Sequence, residues 1–304
     1  MGIKLIALDL DRTTLNNESK LLEGNKKALE TAIEKGIDVV IATGRSFTAL
    51  PKDVLCVKGI EYAITSNGAQ IRSLKDNRVI YENYIDEKAL MKVLDFLKRN
   101  LHRHMMIETF VEGVPYVERE EFQRIKNGGE CLRSREYVLT TRNPMIDLLG
   151  HLYDNRTKVE NINLFFGEME TMTDVKKELD QLENVTITSS LDNNWEIGGA
   201  TTSKAQALQN LIGKLGYRKE EIMACGDSPN DGAMLQLAGV AVAVGNAKEE
   251  IKAMADFIAL PNDQDGVAQA ISSLSSAFTI MPSSTSYIDT PHSLSFAIIG
   301  FTWS

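Results

Sequence analysis

The chain has 304 residues, 43% hydrophobic and 25% charged, a composition that suits one large folded domain or two medium ones and excludes wholesale disorder. A net charge of −9 argues against a broad nucleic-acid surface, although a few donors and a metal can reverse the potential inside a cleft. No apolar run reaches membrane-spanning length, the start turns acidic at Asp9, and Cys56, Cys131 and Cys225 lie far apart. The expectation is a cytoplasmic protein with no membrane or nucleic-acid partner, its thiols serving as packing groups.

Residues 3–8 read as a buried strand, a short apolar run that ends abruptly in polar residues. A helix is predicted over 23–35, with Ala28, Leu29, Ala32 and Ile33 on one face and Gly36 as its stop. Further strands are predicted at 37–41 and 62–65. Strand, helix and strand with short connections indicate a parallel α/β sheet.

The middle of the chain differs. An amphipathic helix over 86–100 carries Leu90, Val93, Leu94 and Leu97, and strands are predicted at 104–110, 114–118, 162–166, 185–189 and 194–197, with a helix near 173–183. Strands in adjacent pairs suggest an antiparallel α+β module. The α/β grammar then returns. Ser203 caps a helix with Ala207, Leu208, Leu211, Ile212 and Leu215 on one face and Gly216 as its stop. A strand at 222–225, a helix at 233–238, a strand at 240–244 and a last helix near 249–255 follow. The organisation read from this is a core in two parts, 1–85 and 198–271, an insertion over 86–197, and an appended tail over 272–304. The tail is Ser/Thr-rich, has Asp289 as its one charged residue and an apolar stretch at 294–303, and is expected to be poorly ordered.

Polar clusters sit just after the predicted core strands, and in open α/β sheets ligands bind beyond the carboxyl ends of the strands. Asp9 and Asp11, two apart on an extended strand end, point the same way, and close carboxylates call for a cation or proton between them. Oxygen-rich clusters of this kind suit Mg²⁺; one carboxylate could attack phosphorus while the other moves a proton. Thr43 and Gly44 offer a hydroxyl and a backbone N–H to a phosphate oxygen, with Arg45 as an anion donor or loop anchor. Lys204, at the start of a helix, could neutralise a phosphoryl group and a carboxylate together, or be a solvated surface residue. Gly226-Asp227-Ser228-Pro229-Asn230-Asp231 offers metal or supporting oxygens at Asp227 and Asp231 and a hydrogen-bonding amide at Asn230.

In this order and at these positions, Leu8-Asp9-Leu10-Asp11-Arg12-Thr13, Ala42-Thr43-Gly44-Arg45, Ser66-Asn67-Gly68-Ala69, Ser203-Lys204 and Gly226-Asp227-Ser228-Pro229-Asn230-Asp231 resemble the haloacid dehalogenase (HAD) superfamily phosphatases, of the Cof-type subfamily with an inserted type IIB cap. Gly245-Asn246-Ala247 and Asp265-Gly266-Val267 are further echoes, and the resemblance covers about residues 3–271. It implies a Rossmann-like α/β core under a cap formed by 86–197. It also implies Asp9 as nucleophile, forming an aspartyl-phosphate, and Asp11 as acid and then base. Mg²⁺ would be held by Asp9, the Asp11 carbonyl and Asp227, with Asp231 behind Asp227. Leu10 N–H, Thr43, Gly44, Lys204 and Asn230 would bind the phosphoryl group.

Arg12 stands where the family commonly has Gly and could recruit an anionic substrate group; Thr14 replaces an apolar residue and is expected to weaken loop packing slightly. His102 and His104 are weaker acid/base candidates than Asp11 and are expected on the surface or in cap packing. Met105, Met106, Phe165 and Phe166 read as core rather than ligand contacts. The function expected is Mg²⁺-dependent hydrolysis of small phosphate monoesters, either sugar phosphates or phosphorylated cofactor precursors, by a monomer or homodimer. The alternatives are a phosphotransferase or phosphomutase on the same scaffold and a catalytically silent phosphate-ligand binding protein.

Overall fold

The structure, a computed structural model, describes residues 2–278. Two sheets organise it. The first contains β1 (Leu5–Leu8), β2 (Asp38–Ala42), β3 (Tyr62–Thr65), β4 (Gln70–Ser73) and β5 (Val79–Glu82). The second contains β6 (Met105–Val111), β7 (Val114–Glu118), β8 (Asn143–Met145), β9 (Val159–Phe166), β10 (Val185–Thr188) and β11 (Asn194–Gly199). The chain then returns to the first sheet with β12 (Ile222–Gly226), β13 (Val240–Ala243) and β14 (Phe257–Ile258).

The first sheet runs β14-β13-β12-β1-β2-β3-β4-β5. Its pairs from β14 to β3 are parallel, as the strand–helix–strand pattern predicts, while β4 and β5 add an antiparallel edge that the sequence reading leaves unassigned. β1 is central because both of its faces are covered. Ile6 and Leu8 pack with Leu29, Ala32, Val267 and Ile271 on one side, and Leu5 and Ala7 pack with Ala207, Leu208, Leu211 and Met234 on the other. The chain continues to β2 on one flank of β1 and returns as β12 on the other, so β1 lies at the topological switch point where such sheets bind ligands.

The inserted sheet, β10-β11-β9-β6-β7-β8, is antiparallel except for the β7–β8 pair. Alternation along β9 gives it two unlike faces. Ile162, Leu164 and Phe166 pack with Leu90, Leu94 and Leu97 of helix Glu87–Asn100 and with Val175 and Leu179 of helix Met169–Leu179. Asn163 and Phe165, from the alternate positions, line a cleft shared with the first sheet. The chain crosses between the sheets on two adjacent segments, so close that a Cβ at Gly199 would sit 2.5 Å from the Tyr84 carbonyl oxygen.

Helix Lys204–Leu215 starts and stops as expected. The Ser203 hydroxyl accepts from the Gln206 N–H at 3.0 Å, and Gly216 ends the helix in a left-handed conformation, φ 76°. The tail requires a correction. A final helix, Gly266–Phe278, continues past residue 271, and its Ser272 and Ser273 hydroxyls bond back to Ala268 and Gln269 carbonyls at 2.8 and 3.0 Å. No Pro or Gly interrupts 267–278, so the apolar spacing of Val267, Ala270 and Ile271 is extended rather than ended. The helix expected last, near 249–255, is the short Glu249–Lys252. Residues 279–304, including the apolar stretch 294–303, lie outside the described residues.

Candidate active site

Every cluster singled out beyond a core strand reaches one cleft of about 270 Å³ between the two sheets, or the buried carboxylate group at its floor. After β1 the chain leaves the extended conformation at Leu10 and turns through Leu10–Thr14, with Arg12 at φ 63°. Leu10 is fully buried and anchors the turn. Asp9 and Asp11 both line the cleft, Asp9 almost fully buried and Asp11 with its side chain 46% exposed. Thr14 corrects its expectation. It is buried, and its hydroxyl donates to the Asp9 carbonyl at 2.6 Å, adding a bond to the loop instead of loosening it.

Lys204 is completely buried, not a solvated lysine. Its Nζ donates to Asp9 Oδ1 and Asp231 Oδ1, each at 2.7 Å. Gly68 helps set this position: at φ +99°, a Cβ there would stand 2.1 Å from the Ser203 carbonyl oxygen, so the turn after β3 lies directly on the helix start. Asp231 Oδ2 accepts from the Asp227 and Ser228 N–H groups at 3.0 and 3.1 Å, and Asp227 Oδ1 accepts from Thr13 Oγ1 at 3.0 Å.

Oxygens of Asp9, Asp227 and Asp231 lie within 4.8 Å of one another. Burial, then the neighbouring Asp231 and Asp227, pushes the Asp9 carboxyl well above the usual range, with Lys204 offsetting only part of the effect. Asp227 is pushed up to about 7 by burial and by Asp231. Burial works against the Lys204 ammonium, but Asp231 and Asp9 outweigh it and hold the group above its ordinary value. Asp9 Oδ2 is buried without a hydrogen-bond partner. Crowded carboxylates with an orphaned oxygen are what a small divalent cation fits. Asp231 already has both oxygens engaged, so Asp9 and Asp227 are the better direct ligands and Asp231 their support. The Asp11 carboxylate does not join the group, which leaves only its backbone carbonyl for the role the resemblance implies.

Arg45 binds Asp11 instead, through Nε to Oδ2 at 2.7 Å and Nη2 to Oδ1 at 2.5 Å. Partial burial alone would raise Asp11, but the hydrogen bonds and charge of Arg45 hold the carboxyl below the usual range. Thr43 is buried after β2, and its hydroxyl accepts the Arg45 N–H at 3.1 Å; Gly44 lines the cleft beside it. Asn230 Nδ2 donates to Asn67 Oδ1 at 3.0 Å, and Asn67 Nδ2 donates to Glu196 Oε2 on β11, joining the loop after β12 to the inserted sheet.

The sequence reading did not single out Glu196, nor the wall formed by Arg133, Tyr137 and Arg142. These residues come from a stretch it left without elements and from a polar position inside an apolar strand. A Glu between Trp195 and Ile197, within a predicted strand, was the available signal. His102 and His104 are exposed, with His104 beside Glu130 at 3.2 Å, and neither lines the cleft. Met106 and Phe166 are core as expected, but buried Phe165 also lines the cleft. Cys225 is buried and Cys56 exposed, and all three thiols are unpaired.

A family model described as haloacid dehalogenase-like hydrolase matches residues 6–271. The chain belongs to the haloacid dehalogenase-like hydrolases. It is 32% identical over 299 residues to Phosphatase YwpJ of Bacillus subtilis (strain 168), covering 90% of this chain and 100% of that one. It is likewise 32% identical over 271 residues to the 5-amino-6-(5-phospho-D-ribitylamino)uracil phosphatase YcsE of the same organism, covering 89% of this chain and 95% of that one. The solved structure of a haloacid dehalogenase-like hydrolase from B. subtilis superposes with a TM-score of 0.77 at 32% identity, covering 89% of this chain and 99% of that one. The resemblance carried by the motifs is therefore borne out, and with it the α/β fold and the class, a phosphoric monoester hydrolase of the haloacid dehalogenase-like type. Among the described residues, no helix is long and apolar enough to cross a membrane.

Proposed function

We propose that the protein is a Mg²⁺-dependent phosphatase that cleaves small phosphate monoesters through an aspartyl-phosphate on Asp9. The observation that carries this is the placement of Asp9 against Lys204, Asp227 and Asp231 at the switch point of the sheet, with its Oδ2 unpartnered. Asp9 and Asp227 would hold the cation with the Asp11 carbonyl. When bound, it neutralises the carboxylates and the phosphoryl oxygens and so lets two anions approach.

The rest follows from the protein's own groups. Asp9 attacks phosphorus, the ester oxygen leaves, and Asp11 gives it a proton; water activated by Asp11 then cleaves the acyl-phosphate and releases inorganic phosphate. Thr43, Gly44, Lys204 and Asn230 would take the equatorial oxygens, where charge is spread in the transition state. Held by Arg45, Asp11 is ionised, the state that activates water. The incoming phosphoryl dianion favours its protonation for the first step by like-charge repulsion.

The two sheets bound a cleft with room for a small phosphorylated metabolite, with sugar phosphates and phosphorylated cofactor precursors as the substrate classes. A relative named as a ribitylaminouracil phosphatase and another named as a pyridoxal phosphate phosphatase support that range. Three unpaired thiols are in keeping with a reducing cytoplasm.

The test is phosphate release from an ester panel with Mg²⁺ and with EDTA, for wild type and Asp9→Asn. Release that requires Mg²⁺ and is lost in Asp9→Asn supports the reading. Release that persists in a pure, folded Asp9→Asn sinks the assignment of the nucleophile.

A further inference from the structure

The inserted wall of the cleft sets two guanidiniums on a single buried carboxylate. Glu108 on β6 is fully buried, and its Oε2 accepts from Arg133 Nη1 at 2.8 Å and from Arg142 Nη2 at 2.5 Å. Two guanidiniums thus share one oxygen of one carboxylate. Glu108 Oε1 and the Nε atoms of both arginines are buried without a hydrogen-bond partner. Both arginines stack on the Tyr137 ring, at 4.3 and 4.5 Å from its centroid, and Arg45 meets the same ring at 4.7 Å from the first sheet.

Arg45 is matched by Asp11, and Lys204 by Asp9 and Asp231. On the inserted wall Arg133 and Arg142 share Glu108, while Glu196 takes its bonds from Asn67, Ser190 and Asn194 instead, so two guanidiniums stand on one carboxylate. The Arg142 side chain is 1% exposed, so water does little to offset the excess there. Arg12, exposed at the cleft edge in a left-handed backbone position, φ 63°, that favours glycine, faces Asp227 and is not part of this wall. Buried cations lacking a full complement of anions are stabilised by an anion that enters with its own charge, and planar guanidiniums match carboxylates and phosphates.

Resting on the phosphatase reading, we propose that the wall formed by Arg133 and Arg142 is a subsite for a second anionic group on the leaving alcohol. Preferred esters then carry a carboxylate or another phosphate beyond the phosphoryl group that is cleaved. The second anion is not transferred. It lies across Tyr137 from Asp11, where it orients the alcohol oxygen toward the acid.

Matched esters test this with the intact protein and Mg²⁺: 3-phosphoglycerate against glycerol 3-phosphate, and fructose 1,6-bisphosphate against fructose 6-phosphate. The expected result is a kcat/KM ratio of about tenfold or more for the doubly anionic member of at least one pair. That ratio collapses toward one in Arg133→Gln and is largely restored in Arg133→Lys. Wild-type ratios near one in both pairs overturn the subsite and leave the phosphatase reading standing, and they need no variant to be read. An Arg133→Gln protein that keeps the ratio while losing rate on both members shows a structural role and also overturns it. Wild type that hydrolyses none of the four esters or any other in the panel removes the phosphatase reading itself, and the subsite falls with it.

Discussion

Arg45 grips Asp11 with two parallel hydrogen bonds, 2.7 and 2.5 Å long, from a loop that begins where β2 ends. The pair joins the two strand ends that border the switch point and fixes both the direction and the charge of the Asp11 carboxylate. Without Arg45 the carboxyl rises, and less of it is ionised at a given acidic pH. In Arg45→Met the acidic limb of the kcat–pH profile is expected to move to higher pH, with kcat down about tenfold or more at neutral pH. An unmoved limb means that Asp11 does not set it.

Lys204, fully buried, joins two buried carboxylates. Lys204→Met leaves Asp9 and Asp231 facing each other, and breaking a buried pair in this way costs about 3–5 kcal/mol. The expected outcome is a large fall in Tm together with loss of phosphate release. Lys204→Arg retains charge without the point geometry and is expected to fall between. Thermal denaturation beside activity reads both.

Three carboxylates whose charges repel in the free protein predict that Mg²⁺ raises stability before any substrate is present. At about 100 times its Kd the cation adds about 2.7 kcal/mol to the folded state. The Tm of wild type is expected to rise with Mg²⁺ and to return with EDTA, while Asp227→Asn shows little shift. Equal shifts in both proteins place the ion elsewhere.

Glu221 gives a pH dependence remote from the chemistry. Its Oε2 accepts the Arg218 N–H at 3.0 Å, and its Oε1 lies 2.9 Å from Lys4 Nζ and 3.2 Å from Arg218 Nη2. The backbone bond first, then the two cations, pull the carboxyl down to about 2 from 4.5. A carboxyl lowered in the folded state stabilises fully above its unfolded value and loses that contribution as pH falls through its folded one. The Tm gap between wild type and Glu221→Gln should be widest above about pH 5 and close as pH approaches 2. A gap that stays constant with pH contradicts the pairing.

Much of the fold and site is legible along the chain because the signals are local. An apolar run followed at once by Thr43-Gly44, or by Gly226-Asp227, marks both a strand and the polar residues at its carboxyl end, and the parallel grammar brings those ends to one edge. Ser203 and Gly216 bracket a helix by the hydrogen bonds and dihedrals that their side chains allow. Other features have no local sign. Whether Lys204 is solvated or wholly buried depends on the turn around Gly68 closing over it, and that turn follows a different strand. Val267, Ala270 and Ile271 of the last helix pack against the first sheet, which composition alone does not show.

The arginine wall is the clearest case of what the chain order conceals. Glu108, Arg133 and Arg142 belong to a strand, a connecting segment and a helix end, and each alone reads as an ordinary charged residue. Their meeting depends on which face of β6 turns toward the cleft and on how helix Arg135–Thr141 returns across it. Periodicity assigns a residue to a face of its own element. The charge that face meets is set by elements distant in sequence, through the order of strands and the packing of side chains between sheets.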